Sequence, residues 1–243
     1  MMKIFLFLCL SGLPLACPAG ILSEFSCTRP MPLDAGTWRN VSLAAAAVNN
    51  MVIQPGGKFS FLKAITPVQA GFVPGHSLSG GRVVTSKGGG YCQVSTAIYN
   101  AVLLAGFPVS ERYSHSFYDS QEAYVEPGRD AAVSGSSNAD FCFENLSAVP
   151  LTLAVTAVDG RVSARILGEL RPKKRWLNLS ARRIPCGILR RKTPATAGTP
   201  LRPGFDGWDV ERTLNVLDSA GNTRTLNLGQ DHYAMIPELV AEP

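Results

Sequence analysis

Apolar residues at Val94, Ile98, Val102 and Ala105 recur every three to four positions, and Gly106 and Pro108 follow as stop signals. This spacing predicts a helix over residues 92–105. The period then changes to strict alternation: Val109, Glu111, Tyr113, His115 and Phe117 share one side, and Ser110, Arg112, Ser114, Ser116 and Tyr118 the other. That is the pattern of a strand with two rather polar faces. Alternation also predicts strands over 129–134, 140–145, 151–158 and 161–167, and Asp159-Gly160 is a two-residue hairpin signal between the last pair. Upstream, residues 28–37 read as a lead-in and Ala44 to Val48 as a short alanine-rich helix that needs tertiary packing to survive. Gln54 to Gly57 reads as a turn into a Phe59-Ser60-Phe61 strand, Gly71 to Gly81 as a loop around His76, and Arg82 to Val84 as a short strand. Downstream, residues 213–216 and 223–228 suggest a terminal hairpin, and His232 reads as a loop residue. The order predicts an α+β fold in which a central helix headed by Cys92 packs on a mainly antiparallel sheet (residues 28–168). A basic, proline-bearing linker over 169–203 and a small C-terminal β-hairpin element over 204–243 follow.

Composition narrows the class. With 46% hydrophobic and 17% charged residues in 243, the chain is globular rather than disordered, and a net charge of +5 makes its surface mildly basic. Much of the excess lies in Arg171, Lys173, Lys174, Arg175, Arg182, Arg183, Arg190, Arg191 and Lys192. Such a tract is either a solvated linker or a contact for anionic wall polymers or lipid head groups. No aromatic ladder accompanies it, so no nucleic-acid partner is expected. Met1-Met2-Lys3, the apolar run Ile4 to Leu10 and small residues up to Ala19 read as a secretory leader over 1–19, with cleavage near Ala16 or Ala19. Export to the periplasm or the exterior is the expectation. Leu15-Ala16-Cys17 hints at lipid attachment to Cys17, but Pro14 stands where a lipobox has leucine, so export without an anchor is the preferred reading. An oxidising compartment permits disulfides. Cys9 leaves with the leader, Cys92 is expected free, and one bridge is expected among Cys27, Cys142 and Cys186, with the pairing open.

Cys92 carries the candidate chemistry. It follows Gly88-Gly89-Gly90-Tyr91 and opens the predicted helix, where unpaired N–H groups and the helix dipole favour a thiolate; cysteines so placed can titrate at roughly 3.5–7.5. A helix over 92–105 rises about 20 Å and a strand over 109–115 returns about 20 Å, which brings His115 back to the level of Cys92. Antiparallel pairing centred between Gln121 and Tyr124 would set Asp130 opposite His115. Nucleophile, base and orienting acid would then stand in line, as thiol acyl-transfer enzymes require. The N–H groups from Gly90 to Gln93 are candidate oxyanion donors, and the Gln93 side chain a further one. Each member also has a plainer reading: Cys92 as a small residue at a tight helix entry, His115 as a surface strand residue, Asp130 as a turn residue. Paired metal-ligand spacing is missing, and Ser86-Lys87-Gly88-Gly89-Gly90 has its lysine on the wrong side for a phosphate loop, so no metal or cofactor is expected.

Four stretches together are specific: Pro55-Gly56-Gly57-Lys58-Phe59-Ser60-Phe61; Gly88 to Thr96 with Tyr99-Asn100-Ala101 and Ala105-Gly106; Arg112-Tyr113-Ser114-His115-Ser116; and Pro127-Gly128-Arg129-Asp130-Ala131-Ala132-Val133. On these, residues 38–168 resemble the VanW family, exported bacterial proteins named from a vancomycin-resistance gene cluster. Tyr91 stands where a smaller residue is usual and Glu126 where proline is usual, while the Cys, His and Asp positions match. The resemblance implies an envelope setting and assigns no reaction. Two functions therefore stay open: a thiol-dependent amide or peptide hydrolase or acyltransferase acting on cell-wall material, or a non-catalytic envelope-binding or assembly module in which Cys92 is structural.

Overall fold

The computed structural model describes residues 20–30, 34–79, 82–169, 174–191, 196, 198, 200–218 and 220–242. The leader, Cys9, Cys17, Arg171, Lys173 and Lys192 lie outside the described residues. The elements in chain order are β1 (Gly20–Thr28), α1 (Ala35–Val48), β2 (Val52–Ile53), β3 (Lys58–Ser60), α2 (Phe61–Ile65), β4 (Pro74–Ser79), β5 (Arg82–Lys87) and α3 (Cys92–Ala105). They continue with β6 (Val109–Glu111), β7 (Cys142–Glu144), β8 (Leu151–Val158), β9 (Arg161–Gly168) and β10 (Arg175–Ile184). The last are β11 (Ile188–Arg191), β12 (Pro200–Arg202), β13 (Gly207–Leu217), β14 (Thr223–Tyr233) and β15 (Glu238–Ala241). The fold is α+β and mainly sheet, and among the described residues strand pairing is antiparallel except between β11 and β15.

The central sheet has the order β1-β9-β8-β2. Its β8–β9 hairpin turns at Asp159 and Gly160, both at positive φ, as the Asp-Gly signal predicts. Leu151, Leu153, Val155, Val162, Ala164 and Ile166 point inward from this sheet. Helix α3 packs against β1 and β9, and α1 against β8. Every residue of α3 from Gln93 to Leu103 is buried, so it is the central helix, covered all round rather than along one stripe. On its far side lie the small sheet β3-β7-β6 and the extended segment 129–134.

The helix before it is longer than the alanine run suggests. Asp34 caps it by accepting the Thr37 N–H at 2.7 Å, and the buried stripe Thr37, Asn40, Val41, Ala44, Ala45 and Val48 sets its face. Two polar members of that stripe hide its period in the sequence. Residues 20–28 are an edge strand of the central sheet, in register Phe25 with Ala164, although the sequence reading starts the domain at 28. Within the predicted loop over 71–81, Pro74–Ser79 pairs with β5 as strand β4 and carries His76. The strand predicted over 109–118 stops at Glu111, and that over 129–134 survives only as bridges, because α3 side chains take the backbone groups of Arg129 and Ala131 that a strand ladder would use.

Where the sequence suggests a linker, β10 pairs with β13 from Arg175–Val216 to Ile184–Gly207, and β13 with β14, giving a second antiparallel sheet. Leu177 is buried on β10, while the exposed arginines around it mask the alternation. His232 is on β14. The expected disulfide is absent: Cys27, Cys92, Cys142 and Cys186 are all free. Cys27 is on β1, Cys142 on β7 and Cys186 in the connection between β10 and β11, so the three lie in separate parts of the fold.

Candidate functional site

The glycine run before α3 passes through a gap only a bare backbone fits. A Cβ on Gly89 would sit 2.1 Å from Gly75 O, and one on Gly90 2.5 Å from Thr37 Cγ2. This passage delivers Cys92 to the first turn of α3. There the Gln93 N–H bonds Gly90 O (3.1 Å), the Val94 N–H bonds Tyr91 O (2.9 Å) and the Tyr91 N–H bonds Gly88 O (3.4 Å). The N–H groups of Tyr91 and Gln93 are therefore spent on the turn, which leaves those of Gly90 and Cys92 from the four candidate oxyanion donors. The Gln93 side chain also turns away: its Nε2 donates to Gly160 O (2.9 Å) and Cys27 O (3.3 Å), and its Oε1 accepts from Arg29 Nε (3.4 Å). It ties α3 to β1 and to the β8–β9 turn.

The polar residues of α3 explain how the site's next strand is held. Ser95 Oγ donates to Ala131 O (2.6 Å), Thr96 Oγ1 accepts the Ala131 N–H (2.9 Å) and Asn100 Nδ2 donates to Arg129 O (2.8 Å). The Cys92 sulfur lies 3.5 Å from both Val133 N and Val133 O. Helix side chains thus substitute for a neighbouring strand. On its other side the segment bridges Tyr113 with Ala132, a register that sets His115 against Asp130. Asp130 Oδ2 accepts the backbone N–H of His115 (2.7 Å) and its ring Nδ1 (2.6 Å). The imidazole and the Cys92 side chain line the same pocket, close enough for Cys92 to act on the titration of the ring. Because Nδ1 is taken by Asp130, the other ring nitrogen is the one left to exchange a proton with the sulfur. Cys92, His115 and Asp130 are brought together; Gln93 is not.

Electrostatics favour a charged ring. Burial alone would push the His115 imidazolium down, but hydrogen bonds and charge from Asp130 and Cys92 outweigh it, so the ring is pushed up from 6.5 to about 10. Burial likewise would raise Asp130, and His115, Arg112 and Tyr233 overcome that and hold its carboxyl well below the usual carboxylate range. Arg112 reaches Asp130 Oδ1 (3.0 Å) and its backbone O (2.7 Å), and the Tyr233 hydroxyl donates to the same Oδ1. Burial pushes the Cys27 thiol up to about 12, and burial with Asp140 and Glu111 does the same for Cys142, which keeps both thiols protonated.

The three residues open onto a pocket of about 880 Å3 that Arg29, Tyr91, Tyr124 and the β4–β5 hairpin also line. The Tyr124 hydroxyl is buried with no hydrogen-bond partner of good geometry among the described residues. Burial and the charge at Cys92 push it up, so it stays a protonated donor. Arg29 stacks over the Tyr124 ring at 5.1 Å and pairs with Glu122 at 2.9 Å. Arg112, Tyr124 and Tyr233 are the members that sequence reasoning missed. Arg112 stands within the Arg-Tyr-Ser-His-Ser stretch, but nothing in Tyr124 or Tyr233 marks them before the fold is known. Among the described residues no group of three or more His, Cys, Asp or Glu side chains is placed to hold a metal.

Comparison with known proteins bears on the family. The family model described as VanW like protein matches residues 37–167, more than half of the chain. The chain belongs to the VanW family. It is 36% identical over 123 residues to the uncharacterized protein YoaR of Bacillus subtilis, covering 50% of this chain and 39% of that one. It is 25% identical over 142 residues to the vancomycin B-type resistance protein VanW of Enterococcus faecalis, covering 55% of this chain and 50% of that one. The match thus spans half or less of each of these relatives. No solved structure gives a significant match. The VanW segment holds Cys92, His115, Asp130, Arg112 and Tyr124, whereas Arg29 precedes it and Tyr233 follows it.

Proposed function

We propose that this VanW-family chain is an exported thiol enzyme that cleaves or transfers an amide or peptide bond in cell-envelope material. The observation that carries the reading is the gathering of Cys92, His115 and Asp130 at one pocket, with the imidazole bonded to a buried carboxylate through Nδ1. A structural cysteine needs neither partner. The envelope enters through family membership and through the resistance function printed in the name of one relative.

In this reading His115 takes the Cys92 thiol proton as attack begins, and its raised basicity lets the ring hold that proton at neutral pH. The Cys92 thiolate attacks the carbonyl carbon, forming a C–S bond, and the carbonyl oxygen takes the electron pair while the Tyr124 hydroxyl donates to it. Collapse breaks the C–N bond, and His115 gives its proton to the departing amine. A water, or an acceptor amine in transfer, then attacks the thioester and passes its proton back to His115, and the C–S bond breaks to return the thiolate. Asp130 stays ionised and fixes the ring throughout.

The test is digestion of purified peptidoglycan by the full chain, with new free amines and carboxyls resolved by chromatography. Wild-type protein is expected to alter the fragment pattern, and Cys92→Ala and His115→Gln to leave it untouched. If Cys92→Ala keeps full activity while an Arg190→Ala, Arg191→Ala double variant on the exposed strand β11 loses envelope association, the chain is a binding module instead.

A further inference from the structure

The second sheet makes contacts that a passive appendage does not need. Asp231 and Tyr233 are two residues apart on β14 and face inward together, while His232 between them is exposed and pairs with Asp209. Tyr233 is 1% exposed, and its hydroxyl donates to Asp130 Oδ1 while accepting the Gly128 N–H at 2.7 Å. Asp231 Oδ1 accepts from Arg112 Nη1 at 2.5 Å, and Arg112 in turn grips Asp130. Asp231 also pairs with Arg212 at 3.0 Å, and Arg212 Nη1 donates to Tyr99 on α3 at 2.7 Å. Further along, the Ala234 N–H bonds Ser116 O, one residue past His115. Arg175, on β10, donates to Ala105 O and Leu104 O at the end of α3.

We infer that Tyr233 and Asp231 are positioning residues of the candidate site, so that the strands after residue 167 form part of it and the VanW segment alone leaves it incomplete. Asp130 is held on one oxygen by His115 and on the other by Arg112 and Tyr233, so its orientation, and with it that of the imidazole, depends on β14. The chemistry of the cluster points the same way. Burying two carboxylates and two guanidiniums is costly, and apolar side chains of similar volume would join two sheets at least as well. A cluster retained at that cost is explained by what it orients. The inference rests on Cys92, His115 and Asp130 acting together.

Its test uses the full chain with Tyr233→Phe, Asp231→Asn and, as a control at the same junction, Phe205→Leu. Phe205 packs on Phe117 at 5.3 Å and does not touch Asp130. Two readouts are followed: the His115 Nδ1–H resonance with its exchange rate, and the rate of Cys92 alkylation by iodoacetamide at pH 6.5. Tyr233→Phe and Asp231→Asn are expected to move the resonance, speed its exchange and slow alkylation about tenfold, the size of one charge-assisted hydrogen bond. Phe205→Leu is expected to lower the melting temperature and leave both readouts in place. Wild-type readouts in a folded Tyr233→Phe overturn the inference, as does an equal change in Phe205→Leu. Should Tyr233→Phe fail to fold, Asp231→Asn decides. If Cys92 never forms an acyl adduct but Tyr233→Phe still moves the ring signal, the proposed reaction fails and the positioning role stands.

Discussion

Replacing Asp130 with asparagine preserves volume and removes one charge from the centre of the site. Four donors converge on the native carboxylate: Arg112 Nη2, the Tyr233 hydroxyl, the His115 N–H and His115 Nδ1. Asparagine has one oxygen for two of them, and its amide then faces the remaining pair, donor against donor. Arg112 keeps Asp231 as a counter-ion, so the cost falls at the lower end of that for a broken buried ion pair, about 3 kcal/mol. At roughly 2–4 °C per kcal/mol for a chain of this size, the melting temperature should drop by about 6–12 °C. His115 loses Asp130, the first of the two groups that raise its pKa, while its burial and Cys92 remain, so the ring should titrate below 10. Calorimetry reads the first effect and an NMR titration of the ring the second. A variant that melts with the wild type, or whose His115 still titrates near 10, would refute the coupling on which the account depends.

The same shift makes stability depend on pH. The folded His115 value of about 10 lies above the unfolded 6.5, so its contribution is complete below pH 6.5 and is lost as pH rises through 10. Urea melts between pH 6.5 and 10.5 should show a falling midpoint, and His115→Gln should flatten that fall. Tyr124→Phe removes the proposed oxyanion donor; it should lower turnover about 10²-fold with little change in melting temperature. Gln93→Met should do the reverse, lowering the melting temperature through lost bonds to Cys27 O and Gly160 O while leaving the Cys92 alkylation rate unchanged.

Much of the site is legible in the sequence because it is local. The helix over 92–105 is bounded by glycines, and chain lengths alone bring His115 and then Asp130 back to the level of Cys92. The register inferred for that pairing is the one the structure adopts, although neither segment is a regular strand. What the sequence hides is polar burial. Asn40 interrupts the stripe of α1, and Ser95, Thr96 and Asn100 look like surface positions on a helix whose every side is covered. Asp231 and Tyr233 sit in a hairpin that reads as peripheral, since nothing local reveals that its inner face meets Asp130. At the helix start the tight first turn narrows the candidate N–H donors, since Tyr91 and Gln93 bond back to Gly88 and Gly90, a detail of turn geometry that spacing does not carry.

The central claim is that Cys92 forms a covalent bond to an acyl group. Incubating the full chain with soluble peptidoglycan stem peptides, quenching in acid and measuring intact mass tests it most directly. The account predicts an adduct of the peptide minus its leaving amine, mapped to Cys92 and cleaved by hydroxylamine. That adduct should be lost in Cys92→Ala and reduced in His115→Gln. A folded wild-type protein that alters peptidoglycan with no adduct at Cys92, or that acylates equally well in Cys92→Ala, would contradict it.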